Sequence, residues 1–251
     1  MSARARTSNY GADLAFIHHA GFGAFARDAG TGLLARLRAA GVRDGLVVDL
    51  GCGSGIWART LLDAGYSVLG VDASRDMLAL ARRNAPGARL VCASAYEVEL
   101  PACDAVTSMG EVLGYLPRGA AKAPSLRPLF RKVFRALRPG GLLAFDLIVR
   151  GRARLDHRSW REGIDWSVQH ETRELAQRHL LERRIVTFRR RGAAWRRSDE
   201  LHRVRIADPA EVERDLRAAG FRVSTSRRYG AHPFLPRRLA FFARKPARAR
   251  R

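Results

Sequence analysis

Cysteine is scarce in this sequence, and the few cysteines present follow no ligand pattern. Only Cys52, Cys92 and Cys103 occur among 251 residues, an odd number without the paired spacing of zinc ligands. A disulfide framework and a zinc site are therefore disfavoured, and a reducing cytoplasm is the expected compartment. Aspartates paired at a metal-binding spacing are also missing, so the sequence predicts no metal cofactor.

Long apolar runs are missing as well. The most apolar segment, residues 140–149, is too short to span a bilayer and contains Asp146. Near the N-terminus, Asp13, His18 and His19 interrupt the stretch where a leader peptide would need its apolar region. The sequence thus predicts neither a membrane span nor a cleaved leader. With 47% apolar residues the chain can form a substantial core, which argues against disorder.

Lysine is nearly absent although the chain is strongly basic. Arginine supplies all but three of the 46 basic residues, and the formal net charge is +22. Such a charge attracts polyanions and raises the question of a nucleic-acid partner. The arginines are spread along the whole chain, with dense runs at 189–191 and 248–251, and do not form one track. We therefore expect no specific nucleic-acid partner.

What the sequence does contain is an alternation of short apolar runs with amphipathic stretches. Residues 13–40 predict helix, with a break around Gly30 to Gly32. Strands are predicted at 46–50, 67–71, 89–92, 105–108 and 142–148, and helices between them at 56–64, 75–84 and 125–137. Alternation of this kind is typical of a parallel sheet with helices on both faces.

The pattern changes after Val149. Three longer segments alternate apolar and polar residues, with a turn at Arg191-Gly192, and predict an inserted antiparallel sheet: 166–174, 180–190 and 194–206. A helix at 209–219 and strands at 221–227 and 238–243 would complete a seven-strand, mostly parallel sheet. The predicted division is an N-terminal helical cover (1–44), an α/β core (45–150), an inserted β lid (151–206), a return to the core (207–245) and a basic tail (246–251).

The strongest functional signal is the stretch Val47-Val48-Asp49-Leu50-Gly51-Cys52-Gly53-Ser54-Gly55. A buried strand ends in a glycine-rich turn that opens directly into a helix, and glycines let the backbone approach a ligand closely. The register is G-x-G-x-G, which differs from the G-x-G-x-x-G of many dinucleotide enzymes. Asp72 ends the second strand, where a carboxylate can hold a ribose diol. Capping of the helix that starts near Ser74 is the structural alternative for Asp72.

Together with Ala95-Tyr96, Cys103 to Val106 and the turn at 137–141, these motifs resemble the class I S-adenosylmethionine-dependent methyltransferase family over about residues 45–148. The resemblance implies a Rossmann-like fold and S-adenosyl-L-methionine, not NAD, as cofactor. It implies that Asp49 belongs to the cofactor site, that the Gly51-Cys52-Gly53 turn faces the methionine part and that Asp72 binds the ribose. The residues implied around the adenine are Ala73, Met77, Ser94, Ala95 and Tyr96, with Ser94 standing where many members have aspartate.

In this family the turn after the fourth strand, here Ser108-Met109-Gly110-Glu111-Val112, passes next to the transferred methyl group, and Met109 would contact the cofactor. It lacks the Asp/Asn-Pro-Pro-Tyr pattern of enzymes that methylate exocyclic base nitrogens. Because the sulfonium is already activated, the protein must mainly align the acceptor and exclude water. Glu111 is the candidate base or acceptor-orienting group, and stabilisation of the next helix is its equally open alternative.

The N-terminal segment adds three further candidates. Tyr10 resembles a tyrosine that similar small-molecule enzymes place near the methionine part, and His18 is a candidate catalytic residue on the helix that covers the cofactor. His18 and His19 point about 100° apart, so at most one is expected to face the site.

In the inserted sheet, a substrate pocket could be lined by Trp160, Trp166, His170, Glu171, Glu200, His202 and Arg205, with Glu200 and His202 on one face.

The predicted function is transfer of a methyl group to a nitrogen or oxygen of a small-molecule acceptor by in-line displacement. The N-terminal helices and the inserted sheet would form the acceptor's cover. Two alternatives stay open: an RNA or protein methyltransferase that uses the basic surface, and a cofactor-binding regulatory subunit without catalysis. The motifs specify neither the acceptor nor the oligomeric state.

Overall fold

A computed structural model of the chain describes residues 9–247, which form a central sheet with helices on both faces. The helices are α1 Ala12–Ala39, α2 Ile56–Asp63, α3 Arg75–Asn84, α4 Leu126–Ala136 and α5 Pro209–Ala218. The strands are β1 Leu46–Leu50, β2 Ser67–Asp72, β3 Arg89–Cys92, β4 Cys103–Ser108, β5 Leu137–Ile148, β6 His157–Gly163, β7 Trp166–Leu175, β8 Leu180–Arg191, β9 Ala194–Arg205, β10 Arg222–Ser226, β11 Arg228–Tyr229, β12 His232–Pro233 and β13 Arg238–Arg244. The predicted tail beyond Ala247 lies outside the described residues.

The seven-stranded sheet has the order β10-β13-β5-β4-β1-β2-β3. Only β13 runs antiparallel to its neighbours, β5 and β10, and the other pairs are parallel. This confirms the predicted α/β fold with a mostly parallel sheet. The strand order changes direction between β1 and β4, so a crevice opens at the carboxyl ends of these strands, where open α/β sheets bind ligands.

Both faces of the sheet are apolar and covered by helices. On one face α4 and α5 bury Phe130, Phe145 and Phe241, and on the other α1 and α2 bury Leu33 and Trp57. Strands covered on two sides need the near-continuous apolar runs seen in this sequence. The core thereby fixes the ends of β1, β2 and β4 as a rigid frame for a site.

Helix α1 runs without interruption from Ala12 to Ala39, so the predicted break around Gly30 to Gly32 is wrong. The two glycines serve close packing. A Cβ at Gly30 would lie 3.0 Å from the indole of Trp57, and a Cβ at Gly32 would overlap the backbone of Tyr229. Glycine therefore marks places where other elements press against this helix.

The inserted sheet has four antiparallel strands, β6-β7-β8-β9, one more than the sequence predicted. The additional edge strand, β6, is exposed along its whole length, so it carries no alternation of apolar and polar residues to reveal it. The β11–β12 pair was not predicted either. The turn predicted at Arg191-Gly192 does join β8 to β9, with Gly192 at φ +62°.

The inserted sheet packs against α1 and also contacts the core sheet. Leu14, Ile17, Trp166, Val168 and Ile185 form an apolar cluster between α1 and the inserted sheet. Tyr115, which follows β4, forms an isolated antiparallel β-bridge with Val204 of β9. This bridge joins the inserted sheet to the segment after the carboxyl end of β4. In the described part of the chain, no helix is long and apolar enough to cross a membrane.

Candidate active site

The glycine-rich turn after β1 has backbone angles that favour glycine. Gly51, Gly53 and Gly55 have φ values of +76°, +53° and +80°, in the left-handed region. A Cβ at Gly51 would overlap the side chain of Val112, whereas a Cβ at Gly53 would meet no atom within 4 Å. Gly51 thus lets the turn after β4 approach closely, and Gly53 borders open space.

Asp72 at the end of β2 faces this turn. Its carboxylate accepts hydrogen bonds from the backbone of Gly53 at 2.9 Å and of Ser74 at 2.8 Å. Burial raises the pKa of Asp72, and the two hydrogen bonds from Gly53 and Ser74, which lower it, only partly offset this effect. Ser74, whose hydroxyl accepts from the Met77 backbone, is the residue that caps α3. Each oxygen of Asp72 therefore keeps acceptor capacity for a further ligand.

Asp49 is buried beneath the glycine-rich turn. It accepts a hydrogen bond from the hydroxyl of Thr107 at 2.9 Å, which in turn accepts one from the indole N–H of Trp57 at 3.1 Å. Burial raises the pKa of Asp49 to about 7, although the bond from Thr107 lowers it. Asp49 and Trp57 thus link β1, β4 and α2 underneath the open space.

The other residues predicted around the cofactor lie along the same edge of the sheet. Ala73 is exposed and Met77 is buried at the start of α3. Cys52 packs its sulfur against Gly70 of β2, so its backbone, not its side chain, faces the open space. Met109 is half-buried and packs against the core formed by α1 and α2.

Beyond β3, Ser94, Ala95 and Tyr96 are half-buried. The backbone N–H of Ala93 bonds to the carbonyl of Asp72, which holds this segment beside the end of β2. Ser94 Oγ accepts from the Tyr96 backbone at 3.2 Å, and the Tyr96 hydroxyl donates to the Leu113 carbonyl at 2.6 Å. The Tyr96 side chain thus joins this segment to the 3₁₀ turn after β4.

The turn after β4 is fixed by a buried carboxylate on β5. Asp146 accepts from the backbone of Gly110 at 2.9 Å and of Glu111 at 3.0 Å, and also binds Tyr229 and Arg238. A Cβ at Gly110 would meet no atom within 4 Å, so this turn borders open space as Gly53 does. Asp146 therefore holds this turn in place at the edge of the crevice, but its own side chain is buried and does not line the crevice.

Glu111 is held in ion pairs. Its side chain pairs with Arg183 of the inserted sheet at 2.9 Å and with Arg238 of β13 at 3.1 Å. Its φ is +63°, just before the single turn of 3₁₀-helix at Val112–Gly114. With arginines at both oxygens, Glu111 is placed to link the inserted sheet to the core sheet.

The N-terminal end of α1 covers the glycine-rich turn. Ser74 donates a hydrogen bond to the Tyr10 carbonyl at 2.7 Å, and the ring of His19 bonds to the hydroxyl of Ser54 at 2.9 Å. His18 instead contacts the ring of Tyr10, with centroids 5.2 Å apart. His19 therefore contacts the glycine-rich turn and His18 contacts Tyr10, and the expectation that at most one of them faces the site stays a prediction.

An aromatic and polar cluster fills the space between α1, the turn after β4 and the inserted sheet. The hydroxyls of Tyr10 and Tyr115 are 3.0 Å apart, and Arg183 donates to the Tyr115 hydroxyl at 3.4 Å. The Tyr10 ring also lies 5.0 Å from the ring of His202. Burial and the neighbouring histidines lower the pKa of His18 to about 4, so its imidazole is neutral at pH 7.

One row of residues across the inserted sheet faces this cluster. Thr172, Arg183 and His202 are direct cross-strand neighbours on β7, β8 and β9 and therefore share one face. Among the described residues, five buried side-chain polar atoms have no hydrogen-bond partner, and two of them, Thr172 Oγ1 and His202 Nδ1, lie in this row. Buried polar atoms are rarely left unpaired, so these two atoms are candidates for contact with a polar ligand.

Of the seven residues proposed to line a pocket, Glu200 and His202 reach this cluster, on one face as predicted. Trp160 is exposed, Glu171 pairs with Arg158 and Arg173, and His170 bonds to His157 and Ser159. Trp166 packs against Gly21 of α1, and Arg205 binds the Pro124 carbonyl. Sequence reasoning missed Thr172, Arg183 and Tyr115. Thr172 and Arg183 lie on the same face as His202, but this can be recognised only when the register of the strands is known.

The crevice suits a nucleoside-bearing cofactor. Open space lies at Gly53 and Gly110, and the carboxylate of Asp72, with acceptor capacity left, stands beside Gly53. Within residues 9–247, no group of three or more His, Cys, Asp or Glu side chains is placed to hold a metal ion. A parallel sheet with these features at its switch point defines a nucleotide-cofactor-binding α/β enzyme.

Comparisons with known proteins specify the class. Residues 47–141 match the family model of a methyltransferase domain. A Geobacillus protein named as a methyltransferase is 30% identical over 189 residues, which cover 70% of this chain and 74% of the relative. The chain therefore belongs to the class I S-adenosylmethionine-dependent methyltransferases, and S-adenosyl-L-methionine is its cofactor.

Two solved structures share the fold across nearly the whole chain. An S-adenosylmethionine-dependent methyltransferase of Clostridium acetobutylicum has a TM-score of 0.77 at 19% identity, covering 93% of this chain and 98% of its own. A sugar N-methyltransferase of Streptoalloteichus has a TM-score of 0.77 at 21% identity, with coverages of 98% and 99%. The inserted sheet thus lies within the length that these folds share.

Proposed function

We propose that this methyltransferase acts on a nitrogen or oxygen atom of a polar small molecule bound under the inserted sheet. The observation that carries this proposal is the row of Thr172, Arg183 and His202. These residues share one face of the inserted sheet, two of them carry an unpaired buried polar atom, and Arg183 pairs with Glu111 of the turn after β4. A pocket with a few convergent polar groups suits a small molecule better than an extended polymer.

The bound cofactor supplies an activated methyl group, and the residues along the sheet edge are proposed to hold it. Asp72 would bind the ribose hydroxyls, and the backbone of Gly51 to Gly53 would lie along the methionine part, with Tyr10 and Met109 at its sides. The adenine would lie between Ala73 with Met77 and the segment from Ser94 to Tyr96. Asp49 acts from beneath, through the turn that it supports.

The remaining work of this chain is to align the acceptor and to exclude water. Residues 9–44 and 151–206 are proposed to form the cover, since α1 and the inserted sheet pack around the cluster at Tyr10, and residues 1–8 of the predicted cover lie outside the described residues. We assign Glu111 a positioning role, because its pair with Arg183 fixes the arginine that faces the acceptor. His18, neutral and packed against Tyr10, would shape the pocket wall next to the acceptor.

The sugar N-methyltransferase of Streptoalloteichus supports a polar small-molecule acceptor through its shared fold and inserted region. Within the described residues, many surface arginines are paired with carboxylates: Arg59, Arg127, Arg138, Arg150, Arg154, Arg158, Arg173, Arg197, Arg203 and Arg217. This pattern favours a small-molecule acceptor over RNA.

The test is methyl transfer from labelled S-adenosylmethionine to a panel of amino sugars, small amines and hydroxy acids, with bulk RNA and a mixed protein substrate in parallel. We expect saturable turnover with at least one small polar acceptor. Methylation of RNA or protein alone would contradict the proposal. Cofactor binding without turnover on any class of acceptor would instead favour the regulatory-subunit alternative.

A further inference from the structure

Glu200 and His202 form a hydrogen-bonded pair inside the cluster. His202 Nε2 lies 2.8 Å from Glu200 Oε2, and the imidazole is fully buried. Glu200 also accepts hydrogen bonds from the backbone N–H groups of Tyr10 at 2.8 Å and Gly11 at 2.7 Å. Three groups thus converge on one carboxylate that is itself largely buried.

These contacts fix the protonation of the pair. Burial raises the pKa of Glu200, but the hydrogen bonds from His202, Gly11 and Tyr10 lower this pKa by a larger amount. The net shift is therefore downward. An ionised carboxylate only accepts hydrogen bonds, so His202 Nε2 must be the donor. In the neutral imidazole, Nδ1 then carries the lone pair. Glu200 therefore selects the tautomer in which Nδ1 is the basic atom.

That basic atom, the buried Nδ1 of His202, is left unpaired in the described part of the chain. The ring packs against the rings of Tyr10, at 5.0 Å, and Tyr115, at 5.7 Å, which also contact each other at 6.1 Å. The Tyr10 backbone is bonded to Ser74 beside the proposed ribose site, and Tyr115 follows the turn at Gly110. The imidazole is thus packed against two tyrosines, one joined to the segment at Ser74 and the other to the turn after β4.

We propose that His202, oriented by Glu200, is the general base of the reaction. The assignment rests on the proposed small-molecule function. An acceptor O–H or ammonium N–H bond gives its proton to His202 Nδ1, and the electron pair of that bond becomes available on the acceptor atom. That atom forms the bond to the methyl carbon as the bond from carbon to sulfur breaks, and its electrons stay on the sulfur of S-adenosylhomocysteine. Glu200 stabilises the resulting imidazolium and keeps its own charge.

The proposal predicts a pH dependence with a definite sign. Protonated His202 cannot accept a proton, so turnover should fall towards acidic pH. The charged and titratable groups around the imidazole are Glu200 on its own strand, Arg183 on β8, Tyr10 and His18 at the start of α1, and Tyr115 and Arg118 after β4. Removing the Glu200 charge destabilises the imidazolium, which moves the acidic limb of the profile to lower pH.

The decisive experiment measures kcat against pH for wild type, His202→Asn and Glu200→Gln with an acceptor that wild type turns over. His202→Asn should lower kcat by about 10²–10⁴-fold and abolish the acidic limb. Glu200→Gln should lower kcat less and shift the limb to lower pH. The matched control is His157→Asn, an exposed histidine of the same sheet that lies outside the cluster, and it should leave both unchanged. S-adenosylhomocysteine binding checks that each variant keeps its fold.

A second measurement needs no acceptor. In the ¹⁵N spectrum of the wild-type protein, His202 should show a protonated Nε2 and an unprotonated Nδ1. A protonated Nδ1 in the neutral ring, or wild-type kcat and pH profile in His202→Asn, would overturn the dyad. Failure of every small-molecule acceptor with wild type would instead contradict the proposed function, so the two failures are distinguishable.

Discussion

At the scale of single residues, three carboxylates divide the work around the crevice. Asp146 is buried and holds the turn after β4 through two backbone N–H groups. Glu111 joins the core to the inserted sheet through Arg183. Asp72 alone combines backbone bonds with a place beside the open space at Gly53. Loss of Asp72 should therefore affect the cofactor, whereas loss of Asp146 should affect the frame.

Asp72→Ala should weaken S-adenosylhomocysteine binding by one to three orders of magnitude. It removes a charged acceptor for two ribose hydroxyls, and hydrogen bonds to a charged group contribute about 1.5–3 kcal/mol each. Calorimetry measures the affinity, with exposed Asp63→Ala as the matched control. Because Asp72 also binds the backbone of Gly53 and Ser74, circular dichroism must show a retained fold. Wild-type affinity in folded Asp72→Ala would refute the proposed ribose site.

Asp49 should make the stability of the fold depend on pH. Its pKa is raised to about 7, so between pH 4 and 7 the unfolded chain releases this proton while the folded protein retains it. Stability is greatest below the unfolded pKa and falls as the pH rises towards 7. From pH 5 to pH 7 the loss should be on the order of 2–3 kcal/mol, since one pKa unit corresponds to about 1.36 kcal/mol.

Urea unfolding of wild type and Asp49→Asn at pH 5, 6 and 7 tests this titration. The amide of Asn keeps an acceptor for Thr107 and cannot titrate. As the pH rises from 5 to 7, the unfolding free energy of wild type should therefore fall relative to that of Asp49→Asn. A difference that stays constant over this range would show that Asp49 is ionised throughout.

Which residues of the site could be predicted from sequence depends on how local their signal is. The glycine turn and Asp72 lie at strand ends, and their spacing alone places them at one edge of a parallel sheet. Tyr115, Arg183 and Thr172 come from three different elements, and only the register of β7, β8 and β9 brings two of them beside His202. The pairing of Glu111 with Arg183 joins residues 72 positions apart, which no local pattern encodes.

At the scale of elements, the glycines of α1 show how packing overrides helix propensity. Gly32 to Ala would gain up to about 1 kcal/mol of intrinsic helix stability. Its Cβ, however, would overlap the carbonyl of Tyr229, a backbone group that cannot rotate away. We expect Gly32→Ala to destabilise the fold by about 1–3 kcal/mol, the usual cost of overpacking. Urea unfolding with the linear-extrapolation analysis measures the change.

The matched control lies on the same helix. A Cβ at Gly23 would approach the ends of the Ile56 and Arg27 side chains, which can move, so Gly23→Ala should be close to neutral or stabilising. Equal effects of the two substitutions would mean that the contact between α1 and Tyr229 is loose. The predicted break in α1 failed for this reason, since the sequence shows a glycine but not the element that packs against it.

At the scale of the whole molecule, the large positive charge is distributed and not concentrated. Each of the helices α1 to α5 carries at least one arginine, and many arginines are already paired with carboxylates. Pairs of this kind at the surface add little stability but do reduce the local field available to a phosphate track. The formal charge of +22 should therefore produce weak, nonspecific attraction of polyanions.

Methyl transfer to a small acceptor should accordingly change little between about 50 and 200 mM salt. If the acceptor were a nucleic acid held through six to ten phosphates, its affinity would fall about 10³–10⁵-fold over that range, because counterions are released on binding. The measurement is kcat/KM for the small acceptor at each salt concentration, with RNA gel shifts under the same conditions as the control for the basic surface. We expect RNA binding that is weak, steeply salt-dependent and without methylation of the RNA.

Tight RNA binding that is coupled to methylation of that RNA would make the basic surface part of the active site and remove the case for a closed pocket. A flat salt dependence of turnover, in contrast, would place acceptor recognition on the few buried groups of the inserted sheet, where fixed contacts are little screened by salt.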